Sequence, residues 1–166
     1  EMSAPPIALH PGSGGRDKCW PAASFAELVS AISEKGCNVV LTSGPADDDA
    51  VAALHQHLGD TMPRVLRHIP LRDLGCILGK CAGFIGNDTG ITHLAAATGI
   101  PTIALFGPTD PAIWGPRGRT VRILWGNLLI AGDVGGVDAP PVGTGYPLAS
   151  ISVDCVLDAL QDVIST

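Results

Sequence analysis

Two short segments of the chain combine glycines with polar side chains in patterns that suit anion binding. The first is HPGSGGRDKCWP at positions 10–21, and the second is GNDTGITH at positions 86–93. Glycines let the backbone approach an anion closely, the N–H groups of a following helix donate to it, and Lys18 adds a point charge. In the second segment Asp88, Gly90 and His93 stand close together at one helix start. Such a cluster suits a ligand with both hydroxyls and phosphate oxygens.

Each segment also has a structural interpretation. The first could be a flexible turn capped for the helix that follows it. In the second, Asp88 or Thr89 could be the N-cap residue of a helix, and His93 could be an interior histidine with satisfied hydrogen bonds. The residues alone leave both alternatives open.

The first segment differs from two familiar phosphate-binding loops. No Lys-Ser or Lys-Thr pair follows its glycines at the spacing of a Walker loop. Asp17 stands where a dinucleotide fingerprint needs its third glycine, and the segment at 41–43 (Leu-Thr-Ser) ends the second strand without a ribose-binding acid. A nicotinamide-dependent oxidoreductase is therefore disfavoured.

The rest of the chain alternates short apolar runs with segments of helical periodicity. Strands are predicted at 7–10, 39–41, 65–68, 84–86, 102–106 and 121–124, and helices at 21–35, around 51–58, at 71–81, up to 97 and at 152–164. Short, continuously apolar strands between amphipathic helices are typical of a parallel sheet covered on both faces. The sequence therefore predicts a Rossmann-like, doubly wound α/β domain, and ligands of such sheets bind beyond the carboxyl ends of the strands.

Two regions need separate treatment. Residues 126–149 hold six glycines and three prolines, which favours an irregular loop. Residues 89–109 carry no charged side chain over 21 positions, but Gly99-Ile100-Pro101 interrupts the run. A helix, a tight turn and a buried strand explain it better than a membrane span.

Composition limits the class of protein. A length of 166 residues suits one domain at 1–166, and 46% hydrophobic against 16% charged residues excludes intrinsic disorder. A net charge of −6 and only seven aromatic residues argue against a nucleic-acid partner. The five cysteines are odd in number and form no CxxC pair, so we expect reduced thiols rather than a disulfide framework or a zinc site. No metal site and no cofactor are predicted.

Three motifs in order resemble glycosyltransferase family nine, the ADP-heptose:lipopolysaccharide heptosyltransferases. They are GSGGRDKCWP at 12–21, GNDTGITHLAAA at 86–97 and LFGPTDP at 105–111, and the similarity runs over about 7–121. The resemblance implies one half of a GT-B enzyme, namely the C-terminal domain that holds the nucleotide sugar. It also implies that the catalytic base lies in the N-terminal domain, which we expect outside this chain.

The resemblance further implies roles for individual residues. Ser13, Gly14 and Lys18 would hold the diphosphate, Asp88, Thr89 and Gly90 would close on phosphate and sugar, and His93 would support that loop. Asp47 is the choice for the ribose hydroxyls, with Asp48 and Asp49 as competitors, and Leu71 is a candidate wall for the base. We expect Trp20 and Trp114 to pack in the core or at a hinge rather than to stack on a sugar.

The implied reaction is an inverting transfer from an ADP-sugar, ADP-heptose in the family, to a glycan acceptor in lipopolysaccharide core synthesis. The protein's own cations and N–H groups, rather than Mg²⁺, would stabilise the leaving diphosphate. We expect a cytoplasmic protein at the inner face of the inner membrane, with at most peripheral membrane contact. A GT-B-type nucleotide-sugar epimerase domain and a binding-only module remain alternatives.

Overall fold

Seven short strands form a single sheet in the computed structural model, which describes residues 4–126, 128–131 and 145–165. The strands are β1 (Ile7–His10), β2 (Val39–Ser43), β3 (Arg64–Arg67), β4 (Gly83–Asn87), β5 (Thr102–Phe106), β6 (Val121–Trp125) and β7 (Leu128–Ala131). Their order across the sheet is β3-β2-β1-β4-β5-β6-β7. All neighbouring pairs are parallel except β6 with β7. The predicted parallel α/β sheet is confirmed.

Helices connect the strands and cover both faces of the sheet. They are α1 (Ala22–Glu34), α2 (Asp48–Leu58), α3 (Leu71–Leu78), α4 (Gly90–Ala97), α5 (Pro111–Trp114) and α6 (Val153–Ile164), with 3₁₀ turns at Arg16–Lys18, Gly59–Thr61 and Leu148–Ser150. One core cluster joins Leu9 of β1 to Phe25 of α1 and Val156 of α6. A second cluster, on the opposite face, joins Phe84 of β4 to Leu78 of α3. The prediction of a doubly wound domain is therefore confirmed.

The sequence prediction was wrong for part of 126–149. Leu128–Ala131 is a strand, β7, and it pairs antiparallel with β6 from Trp125↔Leu128 to Arg122↔Ala131. Gly126 adopts a positive φ of 56°, which a glycine reaches without steric cost. A Gly-Asn dipeptide between two apolar runs is a hairpin signal, and the glycine and proline count obscured it. Residues 127 and 132–144 of the predicted loop lie outside the described residues.

The uncharged run at 89–109 folds as α4 followed by the buried strand β5. Within the described ranges, no helix has the length and apolar character needed to cross a membrane. Trp20 packs in the core as expected, with 2% exposure, an edge-on contact to Phe25 and a 3.0 Å hydrogen bond from Nε1 to the Ile151 carbonyl.

The strand order places a topological switch at β1. The chain builds outward from β1 to β2 and β3, and then returns to pair β4 on the other side of β1. The connections that leave the carboxyl ends of β1 and β4 therefore lead to helices on opposite faces of the sheet. The crevice between these connections is the expected ligand site of such a sheet.

Candidate functional site

The side chain of Asn87 joins the two loops at the switch point. Asn87 is fully buried at the end of β4, and its Nδ2 donates to the carbonyls of Pro11 (3.0 Å) and Gly12 (3.1 Å). Its Oδ1 accepts the backbone N–H of Trp20 at 3.0 Å. A single amide thus fixes both the start and the end of the glycine-rich segment against β4.

A charged pair spans the same crevice. Lys18 Nζ donates to Oδ2 of Asp88 at 3.2 Å, and the Thr109 hydroxyl donates to the same oxygen at 2.8 Å. Lys18 stands in the turn after β1, Asp88 follows β4, and Thr109 follows β5. Three loops from neighbouring strands therefore converge on one carboxylate.

The start of α4 confirms one structural interpretation and excludes another. Thr89 is the N-cap residue, since its Oγ1 accepts the N–H of Thr92 at 3.4 Å. His93 is exposed, so it is not an interior histidine. Its Nε2 lies 3.0 Å from the carbonyl oxygen of Trp114, which ties α4 to α5. Because a carbonyl only accepts, Nε2 carries the proton in this contact.

Five of the nine predicted site residues meet in one open cleft of about 520 Å³. Its lining residues are Lys18, Asp88, Thr89, Gly90, His93, Thr109 and Trp114. The cleft combines an ammonium group, a carboxylate, the backbone at a helix start and an aromatic residue. These groups can bind an anionic, hydroxyl-rich ligand.

Ser13 and Gly14 lie in the turn before Lys18 but do not line that cleft. Gly14 is exposed, and a Cβ added there would meet nothing within 4 Å. Ser13 lines a neighbouring cavity of about 390 Å³ between the starts of α1 and α2. Its Oγ is buried without a hydrogen-bond partner within the part of the chain described here.

Asp47 is buried, and its carboxylate is engaged by the protein. Oδ2 accepts the Gly44 N–H at 2.6 Å and lies 3.8 Å from Nε2 of His10. The side chain also fills the space above the α-carbon of Gly12, where a Cβ would overlap it. Of its competitors, Asp48 pairs with Arg67 at 3.1 Å, and Asp49 lines the cavity beside Ser13.

His10 is a buried polar residue at the end of β1. Its Nδ1 lies 3.1 Å from both the carbonyl and the hydroxyl oxygen of Thr42. Burial lowers the pKa of His10 below its ordinary value, although the Asp47 carboxylate and the Thr42 carbonyl act in the opposite direction.

Leu71 lies apart from the charged cleft, at the start of α3. It is 64% exposed and lines a third cavity, of about 380 Å³, with mainly apolar neighbours such as Ile69, Leu74 and Ile91. His10 and the 42–45 segment form the other wall. The volume and the mainly apolar lining suit a weakly polar ring.

Sequence reasoning missed four residues of this region: His10, Asn87, Thr109 and Trp114. Asn87 and Thr109 stand inside the segments that carried the family resemblance, but their roles depend on which strands are neighbours. Trp114 was expected to pack in the core or at a hinge; the core placement is wrong, because Trp114 is 60% exposed and lines the cleft. Among the described residues, no group of three or more His, Cys, Asp or Glu side chains is placed to hold a metal ion.

Comparisons with known proteins identify the family of this chain. The family model for glycosyltransferase family 9 (heptosyltransferase) matches residues 1–134. Lipopolysaccharide heptosyltransferase 3 of Escherichia coli is 33% identical over 122 residues, covering 72% of this chain and 36% of its own length. Lipopolysaccharide heptosyltransferase 2 of Salmonella typhimurium is 30% identical over 170 residues, covering 97% of this chain and 47% of its own.

A solved structure extends the likeness to the fold. The E. coli ADP-heptose lps heptosyltransferase II superposes with a TM-score of 0.81 and 25% identity, over 99% of this chain and 48% of that one. The chain thus spans half or less of the length of these relatives. The family model covers most of the sequence, including all three motifs and the charged cleft. This chain belongs to glycosyltransferase family 9, the heptosyltransferases.

Proposed function

We propose that residues 1–166 form the nucleotide-sugar-binding half of an inverting glycosyltransferase that uses ADP-heptose in lipopolysaccharide core synthesis. The observation that carries this proposal is the convergence of Lys18, Asp88 and the start of α4 on one cleft at the sheet's switch point. Membership of the heptosyltransferase family and the likeness to the E. coli ADP-heptose lps heptosyltransferase II support the donor class.

Lys18 and the N–H groups at the start of α4 are assigned to the diphosphate. An inverting transfer breaks the bond between the anomeric carbon and the phosphate oxygen, so negative charge grows on the leaving nucleoside diphosphate. Lys18 lies only 35% exposed, so its charge is less screened than that of a fully solvated lysine. Preorganised donors of this kind stabilise the charge where it develops.

Asp88 and Thr109 are assigned to the sugar side of the cleft. Oδ2 of Asp88 already accepts from both Lys18 and Thr109. A carboxylate oxygen can take more than one donor, and Oδ1 adds further acceptor capacity for sugar hydroxyls. This acceptor capacity supports a role for Asp88 in orienting the sugar relative to the phosphate assigned to Lys18.

The nucleoside is assigned to the other side of β1. The apolar cavity beside Leu71 would take the base, with Asp47 at the boundary as the ribose partner and Ser13 and Gly14 in the turn between nucleoside and diphosphate. Asp47 would reach a ribose hydroxyl with Oδ1, because Oδ2 is held by the Gly44 N–H. The cavity beside Leu71 and the cleft that contains Lys18 and Asp88 both lie at the carboxyl ends of strands of the same sheet.

The whole enzyme's catalytic base and its glycan acceptor are assigned to a further domain. Relatives in the family are about twice as long as this chain. We place the reaction in the cytoplasm at the inner face of the inner membrane, and an odd number of cysteines without a CxxC pair fits a reducing compartment. The 166-residue chain by itself should neither transfer heptose nor hydrolyse the donor appreciably.

Isothermal titration calorimetry of the chain against ADP, UDP and GDP tests the proposal. ADP should bind, weakly because one half of the cleft is supplied by another domain, and more tightly than UDP or GDP. If none of the three nucleotides gives a binding signal at millimolar concentration, the assignment of a donor site is contradicted. Robust turnover of ADP-heptose by the purified chain would contradict the assignment of the catalytic base to a further domain.

A further inference from the structure

Trp114 is placed unusually for a large aromatic side chain. It is 60% exposed, whereas the other two tryptophans, Trp20 and Trp125, are 2% and 4% exposed. It also lines the charged cleft together with Lys18 and Asp88. An exposed aromatic residue at the wall of a cleft is a common feature of ligand-binding grooves.

The backbone at Trp114 is held at three points. Asp110 caps α5 through a 2.8 Å bond from the Ala112 N–H to its Oδ1, and the Gly115 N–H donates to the Pro111 carbonyl at 2.8 Å. His93 holds the Trp114 carbonyl at 3.0 Å. At Gly115 any Cβ would overlap that Pro111 carbonyl, so the chain must turn here with a glycine. The backbone of Trp114 is therefore fixed at the wall of the cleft before any ligand binds.

The chemistry of the cleft favours a sugar as the partner of Trp114. A pyranose ring has one face of C–H groups and a rim of hydroxyls, so it needs an aromatic surface and polar acceptors side by side. Trp114 and Asp88 line the same cleft and supply both. Neither the adenine nor the phosphates need such a pair, because the apolar cavity at Leu71 and the ammonium group of Lys18 suit them.

We propose that Trp114 is a specificity-determining residue that stacks on the sugar of the nucleotide-sugar donor, with His93 as the positioning residue that holds it. This inference rests on the proposed function, because the same cleft must first take the diphosphate. It predicts that Trp114 contributes to binding of ADP-heptose and contributes nothing to binding of ADP.

The test measures ADP and ADP-heptose binding by calorimetry in the wild-type chain and three variants. Trp114→Ala should weaken ADP-heptose binding by roughly three- to tenfold and leave ADP within twofold, because an aromatic contact is of moderate strength. Trp114→Phe should keep most of the affinity for ADP-heptose. Ile113→Ala is the matched control, since Ile113 is 70% exposed on the same short helix and does not line the cleft.

Fluorescence gives a second, independent readout. Iodide should quench Trp114 selectively, because Trp20 and Trp125 are buried. ADP-heptose should protect the fluorescence from iodide more than ADP does, and Trp114→Phe should abolish the quenchable component.

Three outcomes would overturn the inference. If ADP and ADP-heptose bind but Trp114→Ala weakens neither, or both equally, the stacking role is wrong and the proposed function stands. If Ile113→Ala has the same effect as Trp114→Ala, the effect belongs to α5 as a whole. If the wild-type chain binds neither ligand, the proposed function fails and the inference fails with it.

Discussion

The ammonium group of Lys18 and the carboxylate of Asp88 lie 3.2 Å apart across the crevice between the β1 and β4 loops, although 70 positions separate them in the chain. Each side chain partly neutralises the other. An anionic ligand that enters the cleft is therefore attracted by Lys18 and repelled by Asp88. Substituting one residue at a time measures each effect by itself.

Lys18→Ala should weaken ADP binding by roughly tenfold or more, because a hydrogen bond to a charged group contributes about 1.5–3 kcal/mol. Adenosine carries no phosphate and should bind within twofold of the wild type. Calorimetry with both ligands measures the difference, and circular dichroism checks the fold. Lys35→Ala, which removes an equal charge from the exposed end of α1, is the control. If Lys18→Ala weakens the binding of ADP and adenosine equally, or weakens neither, the phosphate does not bind at Lys18.

Asp88→Asn should tighten ADP binding by about three- to tenfold at low salt, because it removes a negative charge beside the phosphates. Raising the ionic strength should reduce the gain. Asp110→Asn removes the same charge from the neighbouring loop and serves as the control. Weaker ADP binding in Asp88→Asn would show that holding Lys18 in place matters more than the removed charge.

Gly12→Ala should lower the free energy of unfolding by about 1–3 kcal/mol, because the new methyl group overlaps the Asp47 side chain. Asp47 cannot move away freely, since its Oδ2 is bound to the Gly44 N–H. Gly14→Ala, two residues later, meets no atom within 4 Å and should change stability by less than about 0.5 kcal/mol. Urea denaturation of the two variants gives the comparison. Equal stability would mean that Asp47 is free to shift.

His10 makes stability depend on pH with a defined sign. In the unfolded chain its imidazole binds a proton near pH 6.5, whereas burial lowers the pKa of His10 in the folded protein. Between the two pKa values the unfolded state holds more protons, so the free energy of unfolding falls as the pH is lowered through that window. Above pH 6.5 this contribution is fully present.

His10→Gln isolates the effect, because glutamine does not titrate. The difference in unfolding free energy between the wild type and His10→Gln should shrink as the pH falls from 7 toward 5, as followed by urea denaturation. Carboxylates that do not contact His10 titrate alike in both proteins and drop out of the difference. A constant difference across that pH range would show that His10 titrates alike in the folded and unfolded chains.

The elements that were predicted well from the sequence are those with local signals. β5 was predicted with its observed ends, since the Gly99-Ile100-Pro101 turn fixes its start and Gly107-Pro108 follows its end. α1 was predicted within one residue at each end, because Phe25, Leu28, Val29 and Ile32 repeat at helical spacing. α3 ended at Leu78 rather than 81, three residues earlier than its apolar pattern indicated.

The candidate site was only partly predictable, because its contacts join distant segments. Lys18 and Asp88 are recognisable in the sequence as charged residues within glycine-containing motifs. Their contact is not predictable from either motif, because the two residues are far apart in the chain. In the sequence, Asn87 and His10 are ordinary polar residues at strand ends. Their contacts with other segments become visible only once the order of the strands is known. The core placement of Trp114 was wrong because apolar character alone favours burial, whereas α5 is tied to α4 through the His93 contact to the Trp114 carbonyl and leaves the ring 60% exposed.

The Asn87 amide has a consequence for how the protein acquires its binding ability. Its bonds to Pro11, Gly12 and Trp20 bridge 67 to 76 positions of sequence. Closing loops of that length is slow, and these contacts form only when β4 has paired with β1. Binding competence should therefore appear late during refolding, together with the last cooperative step and after most helical signal has returned. ADP would then bind the native state and not partly folded chains, so it would raise the midpoint of thermal unfolding by an amount that grows with the logarithm of the ADP concentration above the dissociation constant.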